Sequence, residues 1–113
     1  MKRRIQDTTD DSEARFETRL QALAVALAGL DGAQALQAFL VDLCTPAELE
    51  AMTDRWRVVP LLQQGMPYRE IHDLTQVSVT TIGRVARTLE RGAGGYALAL
   101  GPTERPASIK DAS

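Results

Sequence analysis

Three observations in the sequence predict an all-α chain. Apolar residues recur at helical spacing, as in Phe16, Leu20, Leu23, Leu27 and Leu30, which stand four, three, four and three residues apart. Glycines and prolines fall at the ends of such runs, at Gly29, Gly32, Pro46, Gly65, Pro67 and Gly92, where they stop or start helices. Aromatic residues are few, namely Phe16, Phe39, Trp56, Tyr68 and Tyr96, while Leu and Ala abound. A core of such small side chains in 113 residues is thin, which favours a homodimer whose partner surface completes it.

The chain is about one domain long. Residues 1–11 are polar and expected to be disordered, residues 12–100 form the domain, and residues 101–113, with Pro102 and Pro106, read as a flexible tail. Ser12 is placed to cap a first helix running to about Ala28, whose leucine seam suits packing against another helix or a partner chain. Gly29-Leu30-Asp31-Gly32 breaks it. Asp31 is the expected cap of a second helix, with Leu36, Leu40 and Leu43 inward and Phe39 beside them. Thr45-Pro46-Ala47-Glu48 is a capping box with proline at the first helical position. The third helix is expected to bury Leu49, Met52, Trp56, Val59 and Leu62, to bend at Pro60, and to end at Gly65.

Two short helices meeting at a tight corner follow. Pro67 suits the opening turn of the first, which runs through Ile71 to Leu74. Thr75-Gln76-Val77 make the corner, and the Ser78 hydroxyl is placed to accept from the amide of Thr80 or Thr81. The second helix is expected to bury Val79, Ile82, Val85 or Ala86, and Leu89. Its other face carries Thr80, Thr81, Arg84, Arg87 and Arg91. This is the layout of a helix-turn-helix, with small polar groups at the start of the reading helix and arginines further along. An ordinary helical corner with a solvated arginine face is the bland alternative. Gly92-Ala93-Gly94-Gly95 stops the helix, and Tyr96 to Leu100 form a short cap or frayed helix.

Charge is consistent with this division. The net charge is −2 with a pI near 5.3, which argues against non-specific coating of nucleic acid. Yet Arg55, Arg57, Arg69, Arg84, Arg87 and Arg91 against Glu70, Asp73 and Glu90 make residues 55–91 +3, leaving −5 for the remainder. The lone Cys44 excludes an intrachain disulfide and fits a reducing cytosol. Lys2-Arg3-Arg4 is followed by polar residues where a signal peptide needs an apolar run. The apolar stretch Ala22 to Leu30 is far shorter than the ~20 residues a membrane span needs, so a cytoplasmic protein is expected. No enzyme is indicated: His72 is paired with no nucleophile, and one His and one Cys do not make a zinc site. No cofactor is implied.

The order of parts from Leu43 to Tyr96 resembles the Trp-repressor-like family, most closely its YerC/YecD branch. The residues that carry the resemblance are Leu43-Cys44-Thr45-Pro46-Ala47-Glu48-Leu49-Glu50-Ala51, Arg55-Trp56, Tyr68-Arg69-Glu70-Ile71, Val77-Ser78-Val79-Thr80-Thr81-Ile82, Arg84-Val85 and Gly94-Gly95-Tyr96. The resemblance implies an intertwined homodimer that presents two helix-turn-helix units to successive major grooves of double-stranded DNA. It places Arg69 where the repressor has an arginine that reaches DNA, and Thr81 where it has a threonine on its reading head. Tyr68, Arg69, Ser78, Thr80, Thr81, Arg84, Arg87 and Arg91 are then the candidate DNA-binding residues. The repressor holds tryptophan between two arginines matching Arg55 and Arg84, with matches to Thr45 and Thr88 nearby, so these four make a candidate ligand pocket. Val85 stands where the repressor has a glycine that admits the indole, so tryptophan is not the expected effector.

Three departures bear on the corner. His72 replaces a small alanine, so the helices either splay or turn the ring outward. Gln76 replaces the usual glycine and must adopt a strained φ. Gly83 removes a side chain from the reading face. Three functions follow: a dimeric transcriptional regulator on a palindromic site, a dimeric helical interaction module that no longer binds DNA, or a sensor of an unidentified small molecule.

Overall fold

The computed structural model describes residues 5–102, with side chains from Ser12 onward. Among the described residues all regular structure is helical: α1 Ile5–Ala28, α2 Ala33–Leu43, α3 Pro46–Gln63, α4 Tyr68–Thr75, α5 Val79–Arg91 and α6 Gly95–Leu100. The chain divides into two compact units, residues 1–44 and 45–113. No helix among the described residues is long and apolar enough to cross a membrane.

In the first unit, α1 begins at Ile5 instead of at Ser12. Residues 5–12 contain no glycine or proline to stop a helix, so the polar stretch taken as disordered continues the helical backbone. Met1–Arg4 lie outside the described residues. The N-cap of α2 is Gly32 at φ 97°, not Asp31, and no side chain caps it. The leucine seam is present but uncovered: Phe16 and Leu20 are 55% and 52% exposed, and Leu23, Leu27 and Leu30 are half-buried. On α2, Leu36, Phe39 and Leu40 are half-buried and Leu43 is exposed. Cys44, half-buried, caps α2 by donating its N–H to the Leu40 carbonyl at 2.9 Å.

The second unit has a closed core of Val58, Val59, Ile71, Val77, Ile82 and Val85, with Leu61, Leu62, Met66, Leu89, Tyr96 and Leu100 packed around it. Its local signals act as the sequence implies. The Glu48 N–H donates to the Thr45 hydroxyl at 3.1 Å, and the Glu48 carboxylate accepts from the Thr45 N–H at 2.7 Å. At the other end of α3, Gly65 takes φ 83°, the Met66 N–H reaches the Leu61 carbonyl at 3.1 Å, and the Gly65 N–H reaches Leu62 at 2.9 Å. This paired closure is the Schellman arrangement. Met66 and Leu61 both pack on the core beneath it. Pro60 sits inside α3, which continues past it to Gln63.

The buried set of α3 differs from the expected one. Val58 and Val59 are fully buried, whereas Met52 is exposed and Trp56 is 41% exposed. The core forms where α4 and α5 meet α3 at Val58 and Val59, and Met52 and Trp56 lie N-terminal to that junction. There Trp56 has the Tyr96 ring of α6 as a neighbour, with centroids 6.5 Å apart. The tail expected from Gly101 lies, apart from Gly101 and Pro102, outside the described residues.

Candidate nucleic-acid interface and the adjoining cleft

Helices α4 and α5 form the helix-turn-helix. Pro67 is the N-cap of α4, one position before the first helical turn, and its carbonyl accepts the Ile71 N–H at 3.0 Å. Ser78 caps α5: its hydroxyl oxygen accepts the Thr81 N–H at 3.1 Å and its own proton goes to the Thr81 hydroxyl, also at 3.1 Å. Between them Gln76 takes φ 67° and ψ 8°, the left-handed conformation that the missing corner glycine demands. Its N–H closes α4 on the His72 carbonyl at 2.7 Å.

The His72 ring does not turn outward. Its Nδ1–H donates to the Val77 carbonyl at 2.7 Å, so the half-buried ring braces the corner. Arg57, which entered the sequence reading only as one of the charges of residues 55–91, donates Nη1–H from α3 to the Thr75 carbonyl at 3.2 Å. Thr75 is buried; its hydroxyl donates to the Ile71 carbonyl at 2.7 Å and accepts the Val77 N–H at 3.1 Å.

The candidate DNA residues fall on two stripes of α5 and the start of α4. Tyr68, Arg69, Ser78, Thr80, Arg84, Arg87 and Arg91 are exposed, and Thr81 is half-buried. Gly83 lies under Tyr68 and Arg87: a Cβ there would be 3.8 Å from the Tyr68 ring and 3.9 Å from the Arg87 guanidinium. The absent side chain is thus replaced on that face by two neighbours. Val79, expected in the core, is 50% exposed. It is the first residue of α5, and with Tyr68, Arg69, His72 and Asp73 it lines a shallow cleft of about 490 Å³ at the mouth of the corner.

The second stripe, Thr81, Arg84 and Thr88, turns toward α3. With Ala51, Asp54, Arg55, Val85 and Tyr96 it lines an open cleft of about 440 Å³. Three of the four candidate ligand residues, Arg55, Arg84 and Thr88, therefore meet. Thr45 is not among the lining residues; its hydroxyl belongs to the capping box. The Thr88 hydroxyl donates to the Arg84 carbonyl at 3.1 Å, leaving its oxygen lone pairs toward other donors. Asp54 and Tyr96 escaped the sequence reading, since only the approach of α3, α5 and α6 brings them here. Asp54 was legible only as the neighbour of Arg55.

The family model described as Trp repressor protein matches residues 18–104. The chain belongs to the Trp repressor family. Its membership agrees with the resemblance carried by Leu43 to Tyr96 and points to a DNA-binding regulator. The uncharacterized protein YerC of Bacillus subtilis (strain 168) is 39% identical over 62 residues, which are 55% of this chain and 60% of that protein. The matched stretch thus spans less than two thirds of this relative. The crystal structure of a putative Trp repressor from Staphylococcus aureus superposes with a TM-score of 0.68 at 31% identity, covering 74% of this chain and 83% of that one.

Proposed function

We propose that this member of the Trp repressor family is a sequence-specific, double-stranded-DNA-binding transcriptional regulator, repressor-like, that acts as a homodimer on a palindromic site. The observation that carries the reading is the α4–α5 unit: a capped second helix leaves a left-handed corner with its small polar groups and arginines exposed. Such a helix fits a major groove, where an arginine fork can bind the paired acceptors of guanine. The homodimer is supported by the uncovered seam of α1 and α2, because a second copy of the same seam is a surface of matching chemistry. The protein is placed in the cytoplasm, where its DNA would be.

The test is selection of bound duplexes from a random library, followed by affinity measurement at several salt concentrations. A selected palindrome whose log affinity falls linearly with log salt supports the reading, because released counterions drive such binding. If no duplex is enriched, the dimeric interaction module takes its place.

The cleft of Asp54, Arg55, Arg84 and Thr88 favours a second reading, in which a small molecule modulates the regulator. It adjoins the reading helix, so an occupant would bear on α5 directly. Tryptophan is not the occupant proposed, since the buried Val85 stands where the resemblance implies a glycine that admits the indole. Added tryptophan should leave melting temperature and duplex affinity unchanged; a calorimetric heat of binding would overturn this.

A further inference from the structure

The corner between α4 and α5 lacks the residue that its geometry favours. In the left-handed region the Cβ of Gln76 crowds the following carbonyl, so the conformation persists only where surrounding bonds determine it. Two such bonds come from side chains outside the corner. His72 reaches over it from α4 to the Val77 carbonyl, at 2.7 Å. A carbonyl has no proton to give, so Nδ1 carries the proton whichever charge the ring bears. Arg57 reaches it from α3, binding the Thr75 carbonyl at 3.2 Å. The residues they hold, Thr75 and Val77, flank Gln76 on either side. Val77 precedes Ser78, the cap from which α5 departs.

We propose that His72 and Arg57 are positioning residues for DNA recognition: they clamp the corner on both sides of Gln76 and fix the angle at which α5 meets the groove. The proposal rests on the DNA-reading function proposed above. It gives Arg57 a role that its charge alone would not, since its guanidinium is engaged on a carbonyl of the protein. It also explains why glycine is dispensable at position 76, where the clamp supplies the constraint that a permissive residue would not.

The experiment compares His72→Ala, His72→Asn, His72→Gln and Arg57→Met with the parent. Fluorescence anisotropy is read on the parent's selected duplex and on a scrambled one, at several salt concentrations, with folding checked by circular dichroism. Asparagine offers an amide N–H near the place of Nδ1, and glutamine one nearer Nε2. The expected result is that His72→Ala and Arg57→Met lose about two- to tenfold in preference for the selected duplex, the factor a net hydrogen bond corresponds to. The salt slope stays unchanged, His72→Asn restores preference and His72→Gln does not. If His72→Ala fails to fold, the Asn and Gln variants carry the comparison.

Three results overturn the clamp. Arg57→Met could flatten the salt slope by about one unit, which marks a direct phosphate contact. His72→Gln could rescue where His72→Asn does not, which marks a contact through Nε2. Unchanged preference in every folded variant removes the clamp and leaves DNA reading intact. Nitrogen NMR of the parent adds a readout independent of DNA: Nδ1 is expected to be protonated, and an unprotonated Nδ1 overturns the His72 half. If the parent enriches no duplex at all, the DNA reading falls first and the clamp's function with it.

Discussion

The two halves of the chain carry similar apolar stripes and do different things with them. In residues 45–102 four helices converge, and six apolar side chains from α3, α4, the corner and α5 are closed off from water. In residues 12–44 no described side chain is buried, although Phe16, Leu20, Val25, Val41 and Leu43 are all exposed. Burying a side chain of this kind fully is worth about 1.5–3 kcal/mol. Periodicity therefore says which face of a helix seeks cover; it does not say where the cover comes from. The second unit finds it internally. The first presents its seam outward, and this is why we assign the seam to a partner copy.

The largest expected effect sharpens that contrast directly. Ile82→Ala removes a fully buried side chain and should cost about 2–5 kcal/mol in urea unfolding, at every protein concentration. Leu20→Ala should cost far less in dilute protein and more as concentration rises, if a partner copy covers this exposed residue as proposed. A concentration-independent loss at Leu20 matching that at Ile82 would erase the distinction between the halves.

Next comes the face that the closed unit presents. Arg69→Ala is expected to cost about 1–3 kcal/mol of binding and to relax preference at one base position. Arg87→Ala should weaken all duplexes alike and flatten the salt slope by about one unit. Anisotropy titrations of folded variants separate the two patterns. If both variants bind as tightly as the parent, the exposed face of α5 does not touch DNA.

A smaller effect is expected where the halves join. Thr45→Ala breaks the capping box at the start of α3 and should lower stability by about 1 kcal/mol. Because Thr45 does not line the cleft, ligand-like probes of Arg55 and Arg84 should be unaffected by the change. A thermal midpoint equal to the parent's would show that Pro46 alone starts the helix.

How much of this was legible in the sequence depends on the range of the interaction. The capping box, the Ser78 cap, the Gly65 stop and the left-handed Gln76 are decided within a few residues, and each stands where its local chemistry placed it. Ile82 was legible as well, and Val85 as one of two alternatives with Ala86, since α5 is short and strongly one-sided; the structure buries Val85 and leaves Ala86 half-buried. Trp56, Met52 and Val79 were misplaced because helical spacing cannot tell which turns of a helix meet a neighbour. Arg57, His72 and Asp54 were harder still. The partners of Arg57 and His72 lie on another element or across the corner, the cleft that Asp54 lines is made by several elements, and a side chain's charge does not reveal whether it faces solvent or a carbonyl. The Asp31 cap failed for a different reason: Gly32, free to take φ 97°, stood one residue closer to the helix.

The smallest expected effect asks whether the closed unit is built for stability alone. Gly83 lies inside α5, where glycine costs a helix about 0.5–1 kcal/mol relative to alanine. A Cβ at this position would meet Tyr68 and Arg87 only at ordinary contact distance, 3.8 and 3.9 Å. Gly83→Ala should therefore raise the thermal midpoint. Gly92→Ala is the contrasting case, since its Cβ would lie 2.6 Å from the Thr88 carbonyl oxygen and force the end of α5 to shift; its midpoint should fall. The core gains nothing from Gly83, so its reason is to be sought on the presented face, where an added methyl would stand against Tyr68 and Arg87. Gly83→Ala is accordingly expected to bind its duplex more weakly than the parent while unfolding at a higher temperature. A variant that gains stability and keeps full affinity would show that this face tolerates a side chain, and that the glycine serves neither the fold nor the reading of DNA.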